Sequence, residues 1–139
     1  MNETLSLDFE VKSSIERVWD ALTNSAMLSR WMFFEANNFQ AVVGHKFQFR
    51  PKPETGWPAT VDCEVLEVDA PHRLSYTWEV REISHRTQIT WTLTETQEGV
   101  TRIHLEQTGF ARDAKQEMEG AKYGWTRQVG QLQALLASP

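Results

Sequence analysis

Cysteine is nearly absent from this 139-residue chain, in which Cys63 stands alone. A single thiol makes no internal disulfide, so the expected location is a reducing compartment, the cytoplasm. Positive charge is also short, with 14 Lys and Arg against 19 Asp and Glu and a formal net charge of -5. That balance argues against nucleic acid or an anionic membrane as partner. No apolar run approaches the ~20 residues of a membrane-spanning helix, so no membrane insertion is expected. Nor does Met1-Asn2-Glu3-Thr4 open a basic segment followed by an apolar run, the pattern of a signal peptide. P-loop, G-x-G-x-x-G and G-x-S-x-G motifs are all missing, as are internal repeats and low-complexity segments. His45, His72, His85 and His104 are scattered, none at ligand spacing with Cys or a carboxylate. The expectation is therefore no metal, no cofactor and no catalytic acid–base pair.

Aromatic residues, by contrast, are abundant: six Trp, seven Phe and two Tyr. Large rings supply much apolar surface with few rotatable bonds, which suits either a core or a pocket wall. With 40% hydrophobic and 24% charged residues, the chain reads as one domain spanning 1–139.

Met118, Ala121, Trp125, Val129, Leu132 and Leu136 recur at steps of three and four. At 3.6 residues per turn they form one stripe, with Glu119, Arg127 and Gln131 outside it, so 113–136 reads as an amphipathic helix. Leu5, Leu7, Phe9 and Val11 alternate with polar residues as a half-buried strand. Ser13 followed by Glu16 is a capping-box pattern for a short helix buried through Ile15, Val18, Trp19 and Leu22. Thr23-Asn24-Ser25 caps a second one carrying Met27, Leu28 and Trp31. Asn37-Asn38 reads as a turn and Phe39-Gln40-Ala41 as a short strand before Gly44, followed by a strand through Phe47 and Phe49. The three prolines and one glycine of 51–58 make a loop. Strands then follow at 60–68, 74–80, 88–94 and 100–107, with Thr108-Gly109 closing the sheet. Their short connections require antiparallel pairing, so the fold class is α+β, a single-sided sheet under one long helix.

Ser14-Ile15-Glu16-Arg17-Val18-Trp19-Asp20-Ala21-Leu22-Thr23, followed by Leu28-Ser29-Arg30-Trp31, resembles the opening of the START-like (SRPBCC) superfamily. The run from Val65 to Trp78, with Asp69-Ala70-Pro71-His72-Arg73-Leu74 at its centre, looks like the central motif of one branch. That branch holds proteins similar to the C-terminal domain of the Hsp90 ATPase activator, the AHSA1-type family. Gly124-Trp125 with Leu132 resembles its closing helix. The resemblance implies a helix-grip fold: a curved antiparallel sheet of six to seven strands, two short helices and a long C-terminal helix enclosing a cavity. Such families mostly bind apolar or amphipathic small molecules there, and a minority are cyclases or other enzymes. One departure is plain, since only Gly44 precedes Phe47 where relatives often carry a glycine pair.

Strand parity, helix face and the connecting segment nominate the lining of such a cavity: Trp31, Phe33, Phe47, Phe49, Cys63, Tyr76, Trp78, Trp91, Leu105, Gln107, Met118, Trp125 and Val129. Apolar voids with a few polar groups are typical ligand sites, roughly 300–1,000 Å³ when open; otherwise rings collapse into the space. Tyr76 and Gln107 are the polar groups expected to face inward, while Cys63, mid-strand among apolar neighbours, reads as inert core. The leading function is binding of a small hydrophobic molecule, aromatic or lipid-like, without catalysis. The alternatives are a cyclase-like enzyme on an apolar substrate, and regulation of the Hsp90 ATPase, for which neither binding nor stimulation is expected. A homodimer through an exposed apolar patch stays open.

Overall fold

The computed structural model describes residues 3–32, 34–51, 60–81 and 86–137. In chain order these form β1 (Glu3–Val11), α1 (Ile15–Thr23), α2 (Ser25–Trp31), β2 (Phe34–Asn37), β3 (Lys46–Pro51), β4 (Val61–Asp69), β5 (Arg73–Val80), β6 (Thr87–Gln97), β7 (Val100–Phe110) and α3 (Lys115–Ala137). The strands make one seven-stranded sheet in the order β1-β7-β6-β5-β4-β3-β2, antiparallel at every junction. The layout is the α+β helix-grip arrangement.

Each element follows from its local chemistry. In α1 the cap is Ser14 rather than Ser13: the Ser14 hydroxyl accepts from the Arg17 N–H at 3.3 Å. Ser13 is buried and its hydroxyl has no hydrogen-bond partner. Ile15, Val18, Ala21 and Leu22 are the buried side of α1, and Trp19 is only half-buried. Asn24 both ends α1 and caps α2, its side chain accepting from the Met27 N–H at 3.1 Å. Two short helices can therefore follow one another with no linker, and the Trp31 indole N–H donates across them to the Ala21 carbonyl at 2.9 Å.

The segment between α2 and β3 departs from expectation. Phe34–Asn37 is the strand and 38–45 is the loop, so Phe39 does not sit in a strand. Pro51 belongs to β3, opposite Phe34; the rest of the expected proline loop and Phe33 lie outside the described residues. β7 also runs past Gln107 to Phe110. Gly109 permits this with a φ of 99°, a left-handed value that a side chain would strain.

On α3 the buried face is Trp125, Val129, Leu132 and Leu136, joined by Gly124 and Gln128. Met118 and Ala121 at its start are half-buried against the core. Near the far end, the Gln133 side-chain amide donates to the Glu10 carbonyl of β1 at 2.8 Å, which ties the helix to that strand.

On the outer face, His104 of β7 stands between Asp8 of β1 and Glu106, 2.9 Å from each carboxylate. Carboxylates only accept, so both ring nitrogens donate only when the imidazole is charged. The Glu106 hydrogen bond first, and the Asp8 one second, hold its pKa above the ordinary value. A raised pKa contributes stability in full below the unfolded value of ~6.5 and loses it as pH rises through the folded value. The wild type should therefore lose melting temperature between pH 6 and 9 relative to His104→Gln. The effect is small, because the ring is partly exposed and solvent screens it. Parallel pH profiles for the two proteins would show that the pair is energetically silent.

Candidate functional site

The space between α3 and the sheet is occupied by aromatic rings in continuous contact. Trp125 of α3 meets Trp78 of β5 at 5.0 Å and Trp91 of β6 at 5.4 Å, centroid to centroid. Trp31 of α2 meets the other side of this group, edge-on to Trp91 at 6.0 Å. Toward the other end of the sheet, Phe34 and Phe49 both touch Trp78, and Phe49 touches Phe47. Phe47 in turn packs on Tyr76 at 5.5 Å. Such edge-to-face pairs contribute about 0.5–1.5 kcal/mol each beyond the area they bury.

Register explains the convergence. Leu74 faces Trp91 across β5 and β6, Trp91 faces Leu105 across β6 and β7, and Ile89 faces both Tyr76 and Gln107. Alternation then sends every one of these side chains to the α3 side.

Three buried polar groups are spliced into this apolar set. The Trp125 indole N–H donates to the Gln107 side-chain oxygen at 2.9 Å. The Gln107 amide donates to the Thr87 hydroxyl, which donates to the Trp78 carbonyl, both at 2.9 Å. One relay thus crosses α3, β7, β6 and β5. Separately, the Trp91 N–H donates to the Tyr76 hydroxyl oxygen at 3.0 Å.

Burial pushes the Tyr76 phenol pKa up, against the Trp91 hydrogen bond that pulls it down. Burial also pushes the Cys63 thiol well up, with the Asp62 carboxylate adding to it. Both groups stay protonated across the physiological range. Among the side chains whose burial is described no Lys, Arg, His, Asp or Glu is buried, and among the described residues no His, Cys, Asp and Glu cluster could hold a metal.

Of the residues nominated from the sequence, Trp31, Phe47, Phe49, Tyr76, Trp78, Trp91 and Trp125 are brought into one ring cluster. Leu105, Gln107, Cys63 and Val129 are buried beside it. Met118 is half-buried at the start of α3, and Phe33 lies outside the described residues. Phe34, Phe39 and Thr87 were not nominated. Phe34 and Phe39 were hidden by the misplaced strand, and Thr87 by reading that strand from Gln88. An open pocket of about 450 Å³ lies at β3 and β4, lined mostly by residues of outward parity such as Lys46, Gln48, Asp62 and Glu64, with Phe47 and Cys63 of the nominated set also in its wall. Its ion-paired polar wall, with Arg86 on Glu79 and Arg81 on Asp62, suits water better than an apolar guest.

A long helix strapped over a seven-stranded antiparallel sheet, with rings between them, defines a helix-grip protein of the START-like class. The model of the activator of Hsp90 ATPase homolog 1-like family matches residues 12–137, and the chain belongs to that family. Protein MLL2253 from Mesorhizobium loti is similar at 33% identity over 97% of each chain, with a TM-score of 0.86. CV1439 from Chromobacterium violaceum shares the fold at 23% identity, covering 98% of each chain with a TM-score of 0.81. DynU16, described as a putative protein in the dynemicin biosynthetic locus, shares it at 23% identity and a TM-score of 0.83. The match covers 97% of this chain and 47% of that one. None of the curated proteins matches this chain. No helix among the described residues is long and apolar enough to cross a membrane.

Two outcomes follow from this geometry. Gln107→Leu strands the Trp125 N–H in an apolar interior and should cost about 1–3 kcal/mol in urea denaturation; an unchanged midpoint would mean another acceptor serves. Cys63 should react with a disulfide reagent orders of magnitude more slowly in the native protein than in urea, because the thiolate is the nucleophile and burial suppresses it. Fast native labelling would contradict its burial.

Proposed function

We propose that the protein binds a small hydrophobic molecule, aromatic or lipid-like, in the space between α3 and the sheet. The observation that carries this reading is the ring cluster itself. Trp31, Trp78, Trp91 and Trp125 come from two helices and two strands, yet they face one interior with Tyr76 and Gln107 set among them. Flat, weakly polar surfaces with a few placed hydrogen-bonding groups are what apolar ligand sites offer. A guest enters by spreading rings that in its absence pack on one another.

An enzyme acting on an apolar substrate is the second reading, and the likeness to a protein of a biosynthetic locus favours it. Against it stands the interior chemistry: the ionisable groups buried there are Cys63 and Tyr76, and burial keeps both neutral. Binding without turnover fits that interior better. Hsp90 is not proposed as a partner, since a family name is a fold-level likeness and not a site. The proposal includes a cytoplasmic location, where the lone thiol stays reduced.

The test is a panel of lipids and aromatic compounds followed by intrinsic tryptophan fluorescence and thermal unfolding. A compound at 100 times its dissociation constant should stabilise the fold by about 2.7 kcal/mol. It should also shift the emission, because four tryptophans line the space. No stabilisation by any member of a chemically diverse panel would remove the proposal.

A further inference from the structure

Tyr76 carries a proton that its surroundings do not use. A phenol oxygen offers one O–H donor and lone pairs to accept with. The indole N–H of Trp91 can only donate, so in the 3.0 Å contact between them the Tyr76 oxygen is the acceptor. Its own proton must point elsewhere, and no acceptor for it is found among the described residues. The side chain is 2% exposed, so water does not serve it freely either. A buried donor left without an acceptor is destabilising, and a ligand supplying one recovers part of that loss.

What covers the Tyr76 ring is unlike the rest of the cluster. Phe34, Phe47, Phe49, Trp78 and Trp91 are held on strands, and Trp31 and Trp125 on helices. Phe39 comes from the 38–45 loop. Its ring is 5% exposed and sits edge-on against Phe47 at 4.9 Å and Tyr76 at 6.3 Å. The loop around it is solvated: Asn38, Gln40 and Ala41 are exposed, and Val42 and Val43 are 57% and 63% exposed. One ring is thus inserted from a loop whose remaining side chains lie mostly outside. The loop is tied to β3 by the Gln48 N–H on the Asn38 side-chain oxygen at 3.0 Å and to β4 by Gly44 and His45 on Val65. The Phe39 side chain can turn without breaking those bonds, whereas moving any other ring of the cluster displaces a strand or a helix.

Resting on the ligand-binding reading above, we propose that Phe39 is a stand-in for the ligand. In the bound state the Phe39 ring swings out while its loop stays tied to β3 and β4, and an aromatic ring of the guest takes its place against Phe47 and Tyr76. A neutral acceptor oxygen on that ring, a ketone or aldehyde carbonyl, receives the free Tyr76 proton. The acceptor is neutral because no buried cation among the described residues offsets an anion there. The ligand class is therefore a neutral aryl carbonyl compound.

The test compares acetophenone with ethylbenzene, nearly the same shape without the acceptor, on the full chain by calorimetry. The ratio of the two dissociation constants cancels most of their difference in shape. In Tyr76→Phe that ratio should move about tenfold against acetophenone, the size of one net hydrogen bond. Tyr76→Phe also strands the Trp91 N–H, so ethylbenzene on the same variant is the reference: its binding reports that the variant is folded, and only the ratio is read. Phe39→Ala should tighten both compounds. With carbonyl-labelled acetophenone bound to the wild type, the carbon-13 resonance should lie downfield of its position in an alkane solvent, as a hydrogen-bonded carbonyl does. If both compounds bind but the ratio stays put and the bound resonance matches that in alkane, the Tyr76 assignment is overturned and the binding reading stands. If neither compound binds the wild type or Phe39→Ala, the assignment is overturned, while the binding reading still rests on the wider panel.

Discussion

The insertion of Trp125 between Trp78 and Trp91 is the contact on which the rest of the structure depends. It seats α3 on the sheet at mid-length, and its N–H brings Gln107, Thr87 and the Trp78 carbonyl into one relay. Removing the ring leaves an indole-sized void; removing the acceptor leaves a buried N–H unpaired. Either loss loosens the seating of α3 on the sheet, since α3 has no strand partner and is held by side chains. Gln133 on the Glu10 carbonyl adds a second tie, to the first strand.

Two kinds of polar group are buried beneath that helix, and the difference between them matters for function. Gln107 and Thr87 each give and receive, so they fix the geometry of the rings around them. Tyr76 receives without giving. A polar group bonded both ways helps to specify one packing, which a group bonded one way does less. The interior thus combines a rigid end, at Trp125, with an adaptable end, where Phe39 enters from a loop. The ion pairs and the His104 stripe belong to the outer face, where solvent weakens them, and do not shape this interior.

Membership of the activator of Hsp90 ATPase homolog 1-like family and the likeness to MLL2253 agree with the fold derived from the residues. They name no ligand, because a fold of this kind is a frame into which different sites are set. The interior of this chain is rich in tryptophan. Indoles from α2, β5, β6 and α3 meet there, and three of them spend their N–H groups on different acceptors: a helix carbonyl, a phenol and an amide.

How much of this was legible in the chain follows from where each signal resides. The stripe from Trp125 to Leu136, the alternation through Tyr76 and Trp78, and the parity of Trp91 and Gln107 are local periodicities, so helix, strands and inward faces could all be read. The cap of α1 was misread by one residue because Ser13 and Ser14 offer the same hydroxyl, and only the buried position of Ser13 separates them. Phe39 was misread as a strand residue because a buried ring in a loop carries no periodicity. Residue order by itself therefore determined the class of the fold and which side chains turn inward, since both depend on neighbours in the chain. Only the tertiary structure decided that the rings fill the space, that Thr87 completes the Gln107 relay, and that the Tyr76 proton is left over. Those depend on sheet curvature and on distances between residues far apart in sequence, which no local pattern encodes.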